Sequence, residues 1–217
     1  MATNNDDRAE RISTSMTDLD NITDDRLTEI TFLKVFNVVP EGEPMPEYKP
    51  LSPRIGRCTN LTKLVLVNCS RIPPEISSCT MLSTLTLFYD GNDDGDCRIE
   101  LPEDIILQNL IRFSINGVGN WNADEIIVWV TSCSPNLRQW LFFNLTKDTA
   151  NQFIRLLQDN EAFIEKFKHK LLSILFNNCS LNEDDARSIL FDMKPLYPRL
   201  CCIDLENNNI ESIETIG

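Results

Sequence analysis

One arrangement of apolar and polar positions returns along most of the chain. The phrase apolar-xx-apolar-x-apolar-xx occurs at Leu61-xx-Leu64-x-Leu66-xx-Cys69, Leu82-xx-Leu85-x-Leu87-xx-Asp90 and Leu110-xx-Phe113-x-Ile115-xx-Val118. It occurs again at Leu137-xx-Trp140-x-Phe142-xx-Leu145, Leu171-xx-Ile174-x-Phe176-xx-Cys179 and Leu200-xx-Ile203-x-Leu205-xx-Asn208. A weaker early copy is Leu27-xx-Ile30-x-Phe32-xx-Val35. Measured between second apolar positions, the spacings are 34, 21, 28, 27, 34 and 29 residues. Inside each phrase the apolar positions alternate with period two, which predicts a short strand with one face inward. Two such side chains cannot exclude water alone. Stacked side by side in parallel, the units would bury them as a continuous ladder, provided each unit has a segment that brings the chain back.

The return segments carry helix signals in the second half of the chain. Asn182 is placed to cap a helix with acids in its first turn and apolar Ala186, Ile189, Leu190 and Met193 on one stripe. Asp124 is expected to cap a helix through Ile126, Ile127 and Val130, and Asp148 one through Ala150, Phe153, Ile154 and Leu157. Between the strands at 64 and 85, Pro73 and Pro74 forbid a regular helix, so an extended or turn-like path is expected.

From about residue 27 to 217 the chain resembles the leucine-rich-repeat family. The stretch from Asn178-Cys-Ser-Leu-Asn-Glu-Asp-Asp-Ala186 to Leu200-Cys-Cys-Ile-Asp-Leu-Glu-Asn-Asn-Asn-Ile210 is similar to the ribonuclease-inhibitor subtype, and Ile72-Pro-Pro-Glu-Ile76 followed by Leu82-Ser-Thr-Leu-Thr-Leu87 to the plant-type repeat. The resemblance implies an α/β solenoid, a horseshoe with a parallel sheet on the concave side and helices or irregular returns on the convex side. Its ladder position, usually Asn or Cys, is Asp90, Val118 and Leu145 in the middle copies, so side-chain to backbone hydrogen bonding is not expected to be continuous there. Residues 1–18 are polar and read as a flexible tail, and 19–217 as one domain of about six to seven repeats. The last phrase reaches Ile210 without a polar cap, so the chain is expected to be truncated there or covered by a partner.

Composition narrows the function. A net charge of −13 removes the electrostatic attraction on which non-specific nucleic-acid binding depends, and no run of about 18 uncharged apolar residues is present to insert in a membrane. With 7 glycines in 217 residues, and Gly117-x-Gly119 followed by Trp121 and no third glycine, no phosphate-cradling loop is found. The start of the sequence shows neither a basic nor an apolar signal region, which makes a cytoplasmic location the expectation. Eight cysteines (Cys58, Cys69, Cys79, Cys97, Cys133, Cys179, Cys201, Cys202) include no CxxC pair and are expected to stay reduced as small apolar side chains. Five glycosylation sequons, at Asn21, Asn60, Asn68, Asn144 and Asn178, point the other way, toward an extracellular or receptor-type ectodomain.

Candidate chemistry is sparse. The one histidine, His169, lies in Lys166-Phe-Lys-His-Lys170, which reads as a solvated helix end complementing the helix dipole; no nucleophile motif accompanies it, and no enzyme activity is expected. Asp90, Asn92, Asp94 and Asp96 match the first half of a calcium loop. The twelfth position is Leu101 where a bidentate Glu belongs, leaving a solvated acidic loop as the plain alternative; no other cofactor is implied. The residues between and after the repeat leucines should face outward on the sheet. Among them Val65, Val67, Phe88, Leu141, Phe143 and Leu175, with Lys63, Tyr89, Arg112 and Gln139, are expected to form a contiguous apolar strip with a basic spot that takes a protein partner.

Overall fold

Leu64, Leu85, Phe113, Trp140, Ile174 and Ile203 lie side by side on adjacent, co-directional strands. The computed structural model describes residues 10–16, 18–37, 48–89, 96–97 and 99–211. Its strands are, in chain order, β1 (Glu10–Ser15), β2 (Ile30–Phe36), β3 (Lys63–Val67), β4 (Thr84–Phe88), β5 (Asp96–Cys97), β6 (Arg112–Asn116), β7 (Asn120–Trp121), β8 (Gln139–Phe143), β9 (Ser173–Asn177) and β10 (Cys202–Asp204). Eight of them form one all-parallel sheet in the order β1-β2-β3-β4-β6-β8-β9-β10, and β5 pairs with β7 separately. Each strand of the large sheet lies beside the next strand of that sheet in chain order, with β5 falling between β4 and β6 and β7 between β6 and β8. This is an α/β fold.

The first strands differ from expectation. Glu10–Ser15 is not a free tail: it pairs with β2, setting Ile12 beside Leu33 and Thr14 beside Val35. With a single large apolar residue, its alternation gives almost no period-two signal, while Ser, Thr and Arg suit an edge strand. The early phrase is also displaced by three residues. Leu33 and Val35, not Ile30 and Phe32, oppose Leu64 and Leu66, which turns Phe32 to the outward face. A slip by an odd number of residues reverses every side chain.

The layer behind the inward rows changes along the sheet, and the core side chains change with it. Behind β3 and β4 it is thin, built from the 3-10 turns Pro53–Arg57 and Pro74–Ser78 with buried Ile55, Ile76, Cys58 and Cys79, and the inward residues are leucines. Behind β6 to β10 stand α2 (Ala123–Cys133), α3 (Lys147–Asp159), α4 (Glu161–Phe167) and α5 (Glu183–Arg187), which continues as a π-turn over Ser188–Met193; α1 (Asp24–Glu29) is a short turn ahead of β2. There the rows hold Phe113, Trp140, Phe142 and Phe176, and the rings reach the helices: Phe113 to Trp129 on α2 at 5.9 Å, Phe142 to Phe153 on α3 at 4.7 Å, Trp140 to Phe163 on α4 at 5.1 Å. Phe142 and Phe176 stack at 4.5 Å between centroids. Larger rings fill the depth that a helix, wider than a 3-10 turn, leaves over the sheet.

Caps fall close to the expected sites. Asn182 accepts from the backbone N–H groups of Asp184 and Asp185, and the Asp185 carboxylate accepts from the Asn182 N–H, closing a capping box. The caps of α2 and α3 are Asn122 and Thr146, each two residues ahead of the Asp124 and Asp148 anticipated, so those acids occupy first turns and complement the dipole instead. The residue after each of several strands takes a left-handed conformation: Asn68, Asn144 and Asn178 near φ 54°, and Gly117 at 113°. Asparagine tolerates that region. At Gly117 only glycine fits, because a Cβ would lie 1.9 Å from the Tyr89 carbonyl oxygen.

The buried Nε1 of Trp140 has no hydrogen-bond partner among the described residues. Trp140→Phe removes that stranded donor along with some volume, and the two effects oppose each other. The expected net change in urea-melt stability is within about 1 kcal/mol, against a loss of about 3–5 kcal/mol for Phe142→Ala, which leaves only a cavity.

Candidate functional site

The outward face of the sheet carries three rows of side chains. The first is Arg11, Phe32, Lys63, Thr84, Arg112, Gln139, Ser173 and Cys202; the second is Ser13, Lys34, Val65, Thr86, Ser114, Leu141, Leu175 and Asp204; the third is Ser15, Phe36, Val67, Phe88, Asn116, Phe143 and Asn177. Rings from α2, α3 and α4 meet the inward rows, and Phe32, Phe36, Val65, Phe88, Leu141, Phe143 and Leu175 remain half-buried rather than covered.

The expected strip is not continuous. Strand β6 presents three polar residues outward, Arg112, Ser114 and Asn116, and so divides the apolar side chains into two clusters. One, on β2 to β4, holds Phe32, Phe36, Val65, Val67 and Phe88; the other, on β8 and β9, holds Leu141, Phe143 and Leu175. Val67 is itself buried at 8% exposure. Tyr89 does not face outward: it is 4% exposed and packs edge-on against Tyr48 at 5.6 Å and Trp121 at 6.4 Å. It follows β4 by one residue, where the chain has already turned away from the sheet. Phe32 and Phe36 were missed because the early phrase reads three residues out of register. Phe32 lies beneath two cations, the Arg11 guanidinium 4.9 Å and the Lys63 ammonium 5.4 Å from its ring centre.

Hydrogen bonds organise the divide and the strand ends. Arg112 Nε donates to Gln139 Oε1 at 2.7 Å. Asn144 Nδ2 donates to Asn116 Oδ1 at 2.8 Å, Asn178 Nδ2 to Asn144 Oδ1 at 2.7 Å, and Asn207 Nδ2 to Asn177 Oδ1 at 3.2 Å. At the ladder position Asn208 Oδ1 accepts from the N–H groups of Cys179 and Leu181, while its Nδ2 donates to the Phe176 and Leu205 carbonyls. Cys179 follows with its thiol toward the Asn177 carbonyl at 3.4 Å. Leu145 and Val118 offer no polar group, so the ladder lapses there as their side-chain chemistry requires.

The remaining candidates do not assemble a reactive centre. Asp90, Asn92 and Asp94 lie outside the described residues, and of Asp96 only the backbone pairing of β5 is placed. Among the described residues no group of three or more His, Cys, Asp or Glu could hold a metal ion. No helix is long and apolar enough to cross a membrane, again among the described residues. His169 is exposed in the turn between α4 and β9. It is Lys166 that serves a helix end, donating to the Thr131 and Ser132 carbonyls at the end of α2; burial holds its ammonium below the ordinary value.

No family model matches the chain, and no curated protein does either.

Cys58, Cys69, Cys79, Cys133, Cys179, Cys201 and Cys202 are free. Burial pushes the thiols of Cys58, Cys69, Cys133 and Cys179 up to about 11 and that of Cys79 to about 12. At pH 8 iodoacetamide should therefore label exposed Cys201 and Cys202 rapidly in the native protein and leave these five unlabelled until unfolding, as read by peptide mass spectrometry. Linkage sets the alkaline limit. The unfolded thiols ionise near 9.0 while the folded ones stay protonated, so stability is fully present below about pH 9 and is lost as pH rises toward 11 to 12, which urea melts across that range should record.

Proposed function

We propose that the chain is a leucine-rich-repeat solenoid, and that it acts as a non-catalytic interaction module, a scaffold, adaptor or regulatory subunit, holding a protein partner on the concave, outward face of its sheet. The observation that carries this reading is the uncovered face itself: eight parallel strands buried on one side by the return segments and left open on the other, with two half-buried apolar clusters set among fixed polar groups. The asparagine that clamps the turn after β10, the left-handed residues that follow β3, β6, β8 and β9 and the register of the inward rows all accord with a repeat array. Arg11, Lys63 and Arg112 along the first row favour a partner whose apolar side chains are flanked by carboxylates. Thiols driven away from ionisation weigh toward binding rather than catalysis.

The cytoplasm is the proposed location. The amide nitrogens of Asn60, Asn144 and Asn178, to which glycans would attach, are engaged as hydrogen-bond donors, and Asn68 is 7% exposed. That leaves exposed Asn21 as the sequon through which an extracellular or receptor ectodomain would be glycosylated.

Affinity capture from native lysate, read by peptide identification, tests the proposal. The wild-type chain should retain a reproducible partner with hydrogen-exchange protection on β3, β4 and β8. The Phe88→Ser, Phe143→Ser double variant should lose that partner while keeping its circular dichroism and melting temperature. Capture unchanged in the folded variant would refute the sheet face as the binding surface.

A further inference from the structure

A second ladder runs along the start of the sheet. Four residues ahead of the first inward position of a unit, except at Met81 ahead of Leu85, a side chain reaches back to a carbonyl of the preceding unit: Asn60 to Thr28 at 2.7 Å, Asn109 to Thr80 at 2.7 Å and Asn136 to Gln108 at 2.8 Å. On the two rungs that follow the donor is a cation. Lys170 Nζ donates to the Pro135 carbonyl at 2.8 Å, and Arg199 Nη1 to the His169 carbonyl at 3.4 Å. A neutral amide makes the same bond on three other rungs, so the bond does not explain the charge. Each cation also keeps donors to spare, since an ammonium has three and a guanidinium five.

Arg138, just ahead of β8, and His169 complete a pocket of about 210 Å³ whose other walls are Asn136 and Leu172. Acids outnumber bases 33 to 20 in this chain, yet among the described residues no carboxylate lines the pocket. Arg138, Lys170 and Arg199 take part in none of the ion pairs among the described residues. Three cations held together without an ion-pair partner among the described residues repel one another, and an anion among them relieves that repulsion.

We propose that this pocket binds a phosphate-class dianion through Arg138, Lys170 and Arg199, with His169 as a further donor. Guanidinium groups offer the paired N–H geometry that tetrahedral oxyanions accept. At about 30 Å³ per water, the volume corresponds to about seven waters: ample for an oxyanion and part of its hydration, and below the roughly 300 Å³ of sites for larger organic ligands. The net charge of −13 opposes an approaching anion from afar, but that field is screened beyond about 8 Å at physiological salt and leaves the local cations dominant. The site is separate from the partner-binding face and does not depend on it.

Isothermal titration of the full chain at fixed ionic strength, with inorganic phosphate and with phenyl phosphate as probes, tests the proposal. One saturable site should appear at about 1 mM or tighter. Lys170→Asn and Arg199→Asn restore the amide of the earlier rungs, so the carbonyl bond and the melting temperature should be retained while affinity falls about tenfold or more for each; Arg138→Gln should do the same, and Lys49→Gln should change nothing. Tighter binding of phenyl phosphate than of phosphate assigns the anion to a phosphomonoester, and equal binding assigns it to the free ion. Absence of saturable binding to either probe, or binding that survives in the folded triple variant, would overturn the proposal.

Discussion

The structure depends on one constraint: no unit of this chain can bury its own inward side chains. Leu64 and Leu66 are fully buried only because Leu33 and Val35 lie on one side and Leu85 and Leu87 on the other, with Ile55 and Ile76 behind. The same dependence passes from strand to strand through Phe113 and Trp140 to Ile174. Burial of that kind stabilises neighbours jointly, at about 25 cal/mol for each Å² of apolar surface removed from water, so stability resides in the interfaces between units more than in any unit. Only a parallel, in-register sheet satisfies it.

That constraint also explains what was legible in the sequence. From Leu61 onward the alternation is strong because each phrase has two large apolar residues in a fixed frame, and strand positions and register could be read from it. The proline pair at 73 and 74 and the cap at Asn182 were legible for local reasons: one removes donors, the other supplies an acceptor. The early phrase failed because Leu27, Ile30, Leu33 and Val35 offer two overlapping frames, and only pairing with β3 selects between them. Strand β1 was illegible because Ile12 alone marks its inward face. Tyr89 was misplaced for a different reason: the turn that carries it inward is set by contacts with Tyr48 and Trp121, 41 residues before and 32 after, which no local pattern encodes.

The outward face shows what inward register leaves free. Its composition is not needed for the core, so the polar strand β6 between two apolar clusters is a choice the fold does not impose. Arg112 tied to Gln139, and Asn116 tied to Asn144, present groups of fixed direction between two surfaces without direction. In the proposed complex, hydrogen-bonded groups held in place in this way would fix the orientation of the partner packed against their apolar neighbours, because a misaligned partner would strand them.

Strand β1 gives the polar start of the described chain a role that its composition hides. It lies at the margin of the sheet, where β2 would otherwise offer Ile30, Leu33 and Val35 beside a row of unsatisfied amides. Ser- and Thr-rich and charged at Glu10 and Arg11, it is a poor template for a further strand from another molecule. A trimmed chain beginning after Ser15 would keep its recognisable pattern and yet expose an adhesive margin, so the segment that looks most dispensable covers the edge of β2 to which a strand of another molecule could otherwise add.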